Sequence, residues 1–312
     1  MNEKLLTRDI KRKATEMKAD LVGIAAIECF AETSAEQHPS SIFPECRSVI
    51  VVGRRILRGS LRGIEEGTNF SSTYGTFGYR WLEDNFLAQT TYDLTCYLES
   101  QGWEAVPLFG YSQEGMAGGV PVASGKPAPN VIVDIEFAAQ AAGLGEPGAG
   151  GFFITPRFGI RQRFAMILTD LPLEPDSAFD ESLCSFCGAC FEACPFAAIR
   201  PGNTRTAGVP GAEREVAVVD YEICSRCPNG AMRAPGRGNA VDRIAAACGR
   251  ACMVQLERAK KCEGRFVNPF RKRAAWALDL CQRRLTGPTD AGGERAAELG
   301  CGRNFDQIGQ DR

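Results

Sequence analysis

Cys184, Cys187, Cys190 and Cys194, followed at once by Pro195, form the run C-x2-C-x2-C-x3-C-P. Three thiolates spaced three residues apart can wrap one cubane iron–sulfur cluster, because a tight loop turns each sulfur inward while Gly188 and Ala189 let the backbone come close. In two-cluster proteins the fourth cysteine of such a run serves the other cluster, so a second set must follow. Cys224, Cys227, Cys248 and Cys252 supply it. The expectation is two [4Fe–4S] clusters, one on Cys184, Cys187, Cys190 and Cys252 and the other on Cys194, Cys224, Cys227 and Cys248. The chemistry is transfer of single electrons.

Other uses of the cysteines fit less well. C-x2-C pairs also hold zinc, but the run here is not the two separated pairs of a zinc ribbon. A disulfide framework staples short secreted domains that lack a core, and this chain has 312 residues. Cys29, Cys46, Cys96, Cys262, Cys281 and Cys301 have no ligand spacing and read mostly as small buried apolar residues. His38, the only histidine, precedes Pro39 in a polar segment and reads as surface rather than ligand.

The elements that must position these groups follow from periodicity. Residues 3–19 carry helical spacing through Leu6, Ile10, Ala14 and Met17, and Leu21–Ala26 follows as a buried strand. Ser48–Val52 is a second β-branched run. A helix is expected over Asn85–Gln101 and a strand over Trp103–Phe109. Val131–Asp134, Phe152–Thr155 and Phe164–Thr169 are further strand candidates, with a short helix at Phe137–Ala142. The fold class is thus α+β or α/β. Two prolines in Leu171–Asp176 mark a boundary, giving domains at 1–175 and 176–258 and a helical tail at 259–312. In that tail Arg258, Lys260, Lys261, Arg265, Arg271, Lys272 and Arg273 alternate with Phe266, Phe270, Trp276 and Leu280, as on a solvated amphipathic helix.

Composition narrows the partners. Lys plus Arg number 36 against 38 Asp plus Glu, so the formal charge of −2 gives no electrostatic reason to expect nucleic acid. No apolar stretch is long enough to span a membrane and the first residues carry no signal-like apolar region, so a reducing cytoplasmic location is expected. Gly143-Leu144-Gly145-Glu146-Pro147-Gly148 matches G-x-G-x-x-G, but a dinucleotide site needs a strand before the glycines and a helix after them. Here the order is reversed. Such a turn still lets backbone amides approach a flat or anionic cofactor.

From Ala142 to Cys194 the sequence resembles the corrinoid iron–sulfur reductases, that is, reductive dehalogenases and epoxyqueuosine reductase. The likeness rests on Ala142–Glu146, Phe153-Ile154-Thr155-Pro156-Arg157-Phe158-Gly159, Leu168–Leu173 and the cysteine run. It is looser around Ala19–Ala25 and Gly102–Pro107. The resemblance implies a nitroreductase-like cobalamin-binding domain followed by a ferredoxin-like domain with two [4Fe–4S] clusters. It also implies a corrinoid without a protein histidine on cobalt, reduced ferredoxin or flavodoxin as electron donor, and a small-molecule substrate. Gly143, Leu144, Gly145, Gly148, Thr155, Arg157, Phe158, Arg161 and Arg163 are the cofactor-binding candidates. Two departures stand out: Ala149-Gly150-Gly151 replaces the basic residue that relatives carry after the glycine turn, and the second cysteine set is spaced differently.

The resulting expectation is a cobalamin-dependent reductase that cleaves a carbon–heteroatom bond, with a carbon–oxygen substrate ahead of an organohalide. Epoxyqueuosine reduction in tRNA and an electron-transfer protein that reactivates corrinoid on a partner are the alternatives. A proton must reach the leaving group. Asp134, ending an apolar run, is the first candidate, with an equal claim as a helix N-cap. Tyr74 and Tyr79, both beside glycines, are phenolic candidates, although glycine-flanked tyrosines also simply line pockets or pack.

Overall fold

A computed structural model describes residues 3–109, 119–233, 241–264 and 266–285. Helix α1 (Glu3–Glu16) leads into strand β1 (Leu21–Ala26) and then β2 (Ser48–Arg55). With β3 (Ala105–Leu108) and β6 (Gln162–Thr169) these form a four-stranded sheet in the order β1-β2-β6-β3, every neighbouring pair antiparallel. Ile50 lies opposite Ile24 on one side and Ile167 on the other. The period of two sends these three to one face, covered by Ile10 and Ala14 of α1 and by Leu94 and Leu98 of α2 (Ala88–Ser100). Val49, Val51, Met166 and Leu168 point to the opposite face, beneath Ala138, Ala139 and Ala141 of α3 (Ile135–Ala141). Helices on both faces of an antiparallel sheet make this half α+β.

Before α2 the chain winds through π-helical turns at Ser71–Arg80 and Leu82–Leu87, a geometry frequent at functional sites. The helix expected from Asn85 therefore continues an earlier one. Val131–Asp134 forms no strand: its Ile132 amide donates to the Glu36 carbonyl instead of a sheet edge.

The second half is built from short pieces. Three hairpins pair β4 (Glu146–Gly148) with β5 (Phe152–Ile154), β7 (Thr204–Ala207) with β8 (Arg214–Ala217), and β9 (Met232–Arg233) with β10 (Val241–Asp242). Helices α4 (Ala189–Glu192), α5 (Tyr221–Ser225) and α6 (Ala247–Arg258) complete it. Its core contains Cys190, Cys194, Cys224 and Cys248 among Phe196, Ile199, Met253 and Leu256, and extends to Ile56, Leu61, Ile64 and Tyr74 of the first half. One apolar core thus crosses the boundary expected at Leu171–Asp176. That segment is pinned to the sheet, since Ile24 N donates to Asp176 Oδ2 at 2.8 Å and Asp176 N to the Ile24 carbonyl at 2.9 Å.

The tail departs from expectation. Residues 259–264 and 266–285 contain no helix. Phe270 and Leu280 are buried, and the Trp276 indole donates to the Ile64 and Glu65 carbonyls at 3.0 Å. The apolar residues anchor an irregular chain at separate points rather than sharing one helical stripe. Arg265 and residues 286–312, including Cys301, lie outside the described residues.

Candidate functional site

Cys184, Cys187, Cys190 and Cys252 line one cavity, together with Gly148, Ala149, Gly150, Phe152, Ile154, Phe186 and Gly188. The loop brings the first three thiols together by holding Phe186 at φ +51° and Gly188 at φ +77°. The fourth comes from α6. Gly150 is required here, since a Cβ on it would stand 2.7 Å from Cys190 Sγ. Burial pushes the Cys190 thiol up to about 12. The Cys252 thiol is raised by burial and further by Cys190, Cys184 and Cys187.

The other four cysteines, Cys194, Cys224, Cys227 and Cys248, act on one another electrostatically, and Cys248 acts on Cys190 and Cys252 of the first cavity as well. Cys224 is raised by burial, with Cys248, Cys227 and Cys194 adding to the effect, and burial takes Cys227 up to about 12. Thiols in such surroundings keep their protons until a metal replaces them. Among the described residues no three His, Cys, Asp or Glu side chains converge on a point that would suit a single ion. That is no conflict with the two groups, because a cubane spreads its thiolates around a cluster whereas zinc draws sulfurs to about 2.3 Å from one centre. The donor sets, all sulfur and largely buried, fit [4Fe–4S] clusters.

A chamber of about 350 Å3 lies beside the first cavity, and Phe152 lines both. Its walls come from both halves: Tyr79, Asp134, Glu136, Gln162 and Arg163 from the sheet half, and Arg205, Val218, Tyr221, Asp242 and Arg243 from the cysteine half. It reaches the surface at Arg205, Glu136 and Val218.

The candidates from sequence are distributed unevenly. Tyr79 and Arg163 line the chamber, with the Arg163 guanidinium 5.0 Å over the Tyr79 ring. Asp134 also lines it, but its Oδ1 accepts from Glu136 N at 2.8 Å and Phe137 N at 3.0 Å and so caps α3. Tyr74 is fully buried away from the chamber and donates to Asp242 Oδ2 at 2.7 Å, while Arg163 Nη2 donates to both. Gly148 lines the first cavity rather than the chamber. Gly143, Leu144, Gly145, Thr155, Arg157, Phe158 and Arg161 are not among the chamber residues. Gly143 ends α3, and Thr155 and Phe158 are buried in a turn where Phe158 N donates to Thr155 Oγ1 at 3.1 Å. Arg157 is half-exposed on the surface and Arg161 is buried, donating to the Ile56 carbonyl at 3.0 Å. His38 Nδ1 accepts from Ser40 N and stands outside the chamber.

Several chamber residues were missed by sequence reasoning, among them Arg205, Gln162, Glu136 and Arg243. Glu136 faces the chamber, open to water there but ringed by protein, and desolvation raises its carboxyl to about 7, with Asp134 adding to the effect. Its position two residues past the cap was the available signal. Arg243 follows no motif. Its Nη2 donates to the Gly150 and Gly151 carbonyls at 3.0 and 2.7 Å, and its guanidinium lies 4.5 Å over Phe152.

A corrinoid, the group the resemblance implies, finds a partial fit here. Aromatic walls at Phe152, Phe153 and Tyr221 and donors from Arg163, Arg205 and Gln162 suit a flat, amide-rich macrocycle. The volume is that of a drug-sized site and encloses only part of one.

Residues 178–200 match the 4Fe-4S binding domain family. The chain is 43% identical over 70 residues to tetrachloroethene reductive dehalogenase of Desulfitobacterium hafniense, covering 22% of this chain and 12% of that protein. It is 38% identical over 68 residues to epoxyqueuosine reductase of Staphylococcus aureus, covering 22% and 18%. It thus spans only a small part of the relatives it matches. Among solved structures, the catabolic reductive dehalogenase NpRdhA superposes with a TM-score of 0.54 at 20% identity over 83% of this chain and 34% of that one. A reductive dehalogenase structure described for B12-dependent dehalogenation gives 0.53 at 19% identity, over 83% and 35%. The chain resembles the corrinoid iron–sulfur reductases in sequence and in fold.

Proposed function

We propose that this chain is an iron–sulfur reductase in which two [4Fe–4S] clusters deliver electrons to a ligand in the chamber. Cys184, Cys187, Cys190 and Cys252 would hold the first cluster, and Cys194, Cys224, Cys227 and Cys248 the second. One observation carries the reading: four thiols from two distant segments enclose a single cavity, and Phe152 is at once its wall and the wall of the chamber. An electron leaving that cluster has one side chain to cross.

The favoured chamber ligand is a corrinoid, with Arg163, Arg205, Gln162 and Phe152 as the residues that would hold it. When bound, a corrinoid supplies a two-electron reductant able to cleave a carbon–heteroatom bond. The protein's own part is protonic and electrostatic. Tyr79 presents a phenol to the chamber beneath the Arg163 guanidinium, which favours the phenolate left after proton transfer. Glu136 holds a second proton up to about neutral pH. Carbon–oxygen substrates are favoured over organohalides, because Ala149–Gly151 offers no basic side chain and Arg243, which reaches that loop, commits Nη2 to its carbonyls. A small molecule is a better match than tRNA for a chain of net charge −2. The modest chamber volume favours a second reading, an electron relay that serves corrinoid on a partner.

Anaerobic purification tests all of this. Iron, sulfide and cobalt analysis should give about eight irons per chain, and titration with cobalamin should yield a stoichiometric complex. Zinc in place of iron would overturn the redox reading. Full iron with no cobalamin binding would leave the relay.

A further inference from the structure

The two sets of cysteines differ in how far the chain closes over them. In the first, Cys187 is exposed and Cys184 and Cys252 are half-buried. Next to Cys187, the Phe186 side chain is 55% exposed, on a residue held at φ +51°, in the left-handed region that large side chains seldom adopt. Phe186 and Cys187 also line the first cavity, so their loop is at once its wall and the surface of the protein. Polar groups stand at the edge of this loop: Glu181 is exposed, and Lys261 Nζ donates to the Ser182 carbonyl at 3.0 Å. An exposed aromatic ring inside a rim of mixed charge has the anatomy of a protein–protein contact, with an apolar centre and a polar edge.

The second set is closed in. Cys194, Cys224 and Cys248 are buried, and the half-buried Cys227 is covered by the tail. Asn229, fully buried, donates through Nδ2 to Cys227 Sγ at 3.8 Å and to the Leu278 carbonyl at 2.9 Å, while its Oδ1 accepts from Leu278 N at 2.7 Å. These bonds use both amide hydrogens and the amide oxygen, so one side chain fastens the tail beside a thiol. Trp276 and Leu280, on either side of Leu278, pack into the same apolar core as Cys224, Cys227 and Cys248. Leu285 N returns to the Ala277 carbonyl at 2.9 Å, closing the segment on itself. A partner arriving from this side would meet the tail before any thiol.

We infer that the loop carrying Phe186 and Cys187 is the docking face for a one-electron carrier protein, and that electrons enter at the first cluster rather than through the second. This rests on the two-cluster reading above. A carrier seated on Phe186 has the first cluster beneath it and Phe152 beyond, a direct passage from solvent to the chamber. Each encounter oxidises the carrier by one electron and reduces the cluster by one; no bond forms or breaks and no proton moves. A small reductant needs only the exposed thiol. The ring beside it adds contact with a protein that has an apolar patch around its own redox group. The second cluster, closed in by the tail, exchanges electrons through the first.

Iron and sulfide content, measured first, tests the two-cluster reading by itself. Stopped-flow absorbance then follows cluster reduction in the full-length protein by a reduced bacterial ferredoxin, the probe carrier, and separately by dithionite. Phe186→Asn removes the ring and keeps a residue that accepts positive φ. It should slow reduction by ferredoxin about tenfold, as loss of an aromatic anchor does, and leave reduction by dithionite unchanged. Arg284→Glu, exposed on the tail segment that pairs with Leu278, should leave both rates unchanged. Should the Asn variant load less iron than wild type, hydrogen exchange of the wild-type protein with and without ferredoxin decides: protection is expected at residues 185–188 and not at 276–285. Unslowed reduction of Phe186→Asn by ferredoxin, equal slowing with dithionite, slowing by Arg284→Glu, or protection of the tail in place of the loop would overturn the proposal.

Discussion

The Tyr74 hydroxyl donates to Asp242 Oδ2 at 2.7 Å, joining a π-helical turn of the first half to a strand 168 residues later. Arg163 Nη2 closes the triangle at 2.9 and 2.7 Å. The two tyrosines proposed from sequence are thereby separated in role: one holds the halves together, the other faces the chamber. Tyr74→Phe should lower stability by about 1.5–3 kcal/mol, as expected for a hydrogen bond to a charged group. Equilibrium denaturation of the variant checks this.

Single ligand substitutions should remove iron in halves. Cys252→Ser is expected to lose the first cluster and Cys224→Ser the second, each retaining about four irons of about eight. Metal and sulfide assays on anaerobically prepared variants read this directly. Loss of all iron from both would mean that the two groups load as one unit.

Gly150→Ala isolates the closest approach to a thiol. The added methyl carbon would stand 2.7 Å from Cys190 Sγ and 3.0 Å from its Cβ. We expect slower reconstitution of the first cluster and a lower iron content, with the second cluster's signal intact. A reconstitution time course by absorbance is sufficient.

Glu136 makes stability depend on pH. Desolvation, helped by Asp134, raises its folded-state pKa to about 7, above the unfolded value of about 4.3. Between these values the folded chain binds more protons than the unfolded chain, so this group's contribution falls as pH rises through the window and is level above it. Glu136→Gln should flatten the profile between pH 5 and 7 by removing that slope. Urea midpoints at several pH values for both proteins would show it.

Arg250 is held in the core by a carboxylate. Glu65 Oε2 stands 3.5 Å from its Nη1, and Glu65 also accepts from Arg271 at 2.6 Å. Glu65→Ala leaves a guanidinium buried without its counter-charge and should cost about 3–5 kcal/mol. Thermal unfolding would register the change, and the conservative Glu65→Gln should lose less.

The sheet was legible because its strands are regular. Leu21–Ala26 and Ser48–Val52 carry alternating or continuous β-branched residues, and strands β1 and β2 include them in full. Helix α2 was readable from Leu94 and Leu98, whereas the π-helical turns before it have a wider repeat that a 3.6-residue template does not detect. Val131–Asp134 looks like a strand locally but has no sheet edge to join. The tail failed for the same reason in another form: Phe270, Trp276 and Leu280 are hydrophobic anchors, and spacing alone cannot distinguish separate anchors from one face. Cysteine spacing was informative because three of the four thiols of the first cavity, Cys184, Cys187 and Cys190, are close in sequence. The chamber was largely illegible, since Glu136, Arg205 and Arg243 meet there from segments far apart in sequence, and the glycine turn that drew attention lies mostly inside the fold.

Cys248 and Cys252 are one turn apart on α6, and in the proposed pairing each would serve a different cluster. This helix would then contribute a corner to both, so that neither could close before the helix has been synthesised. Any event that peels it away would open both together, and loss of iron from the native protein should be concerted.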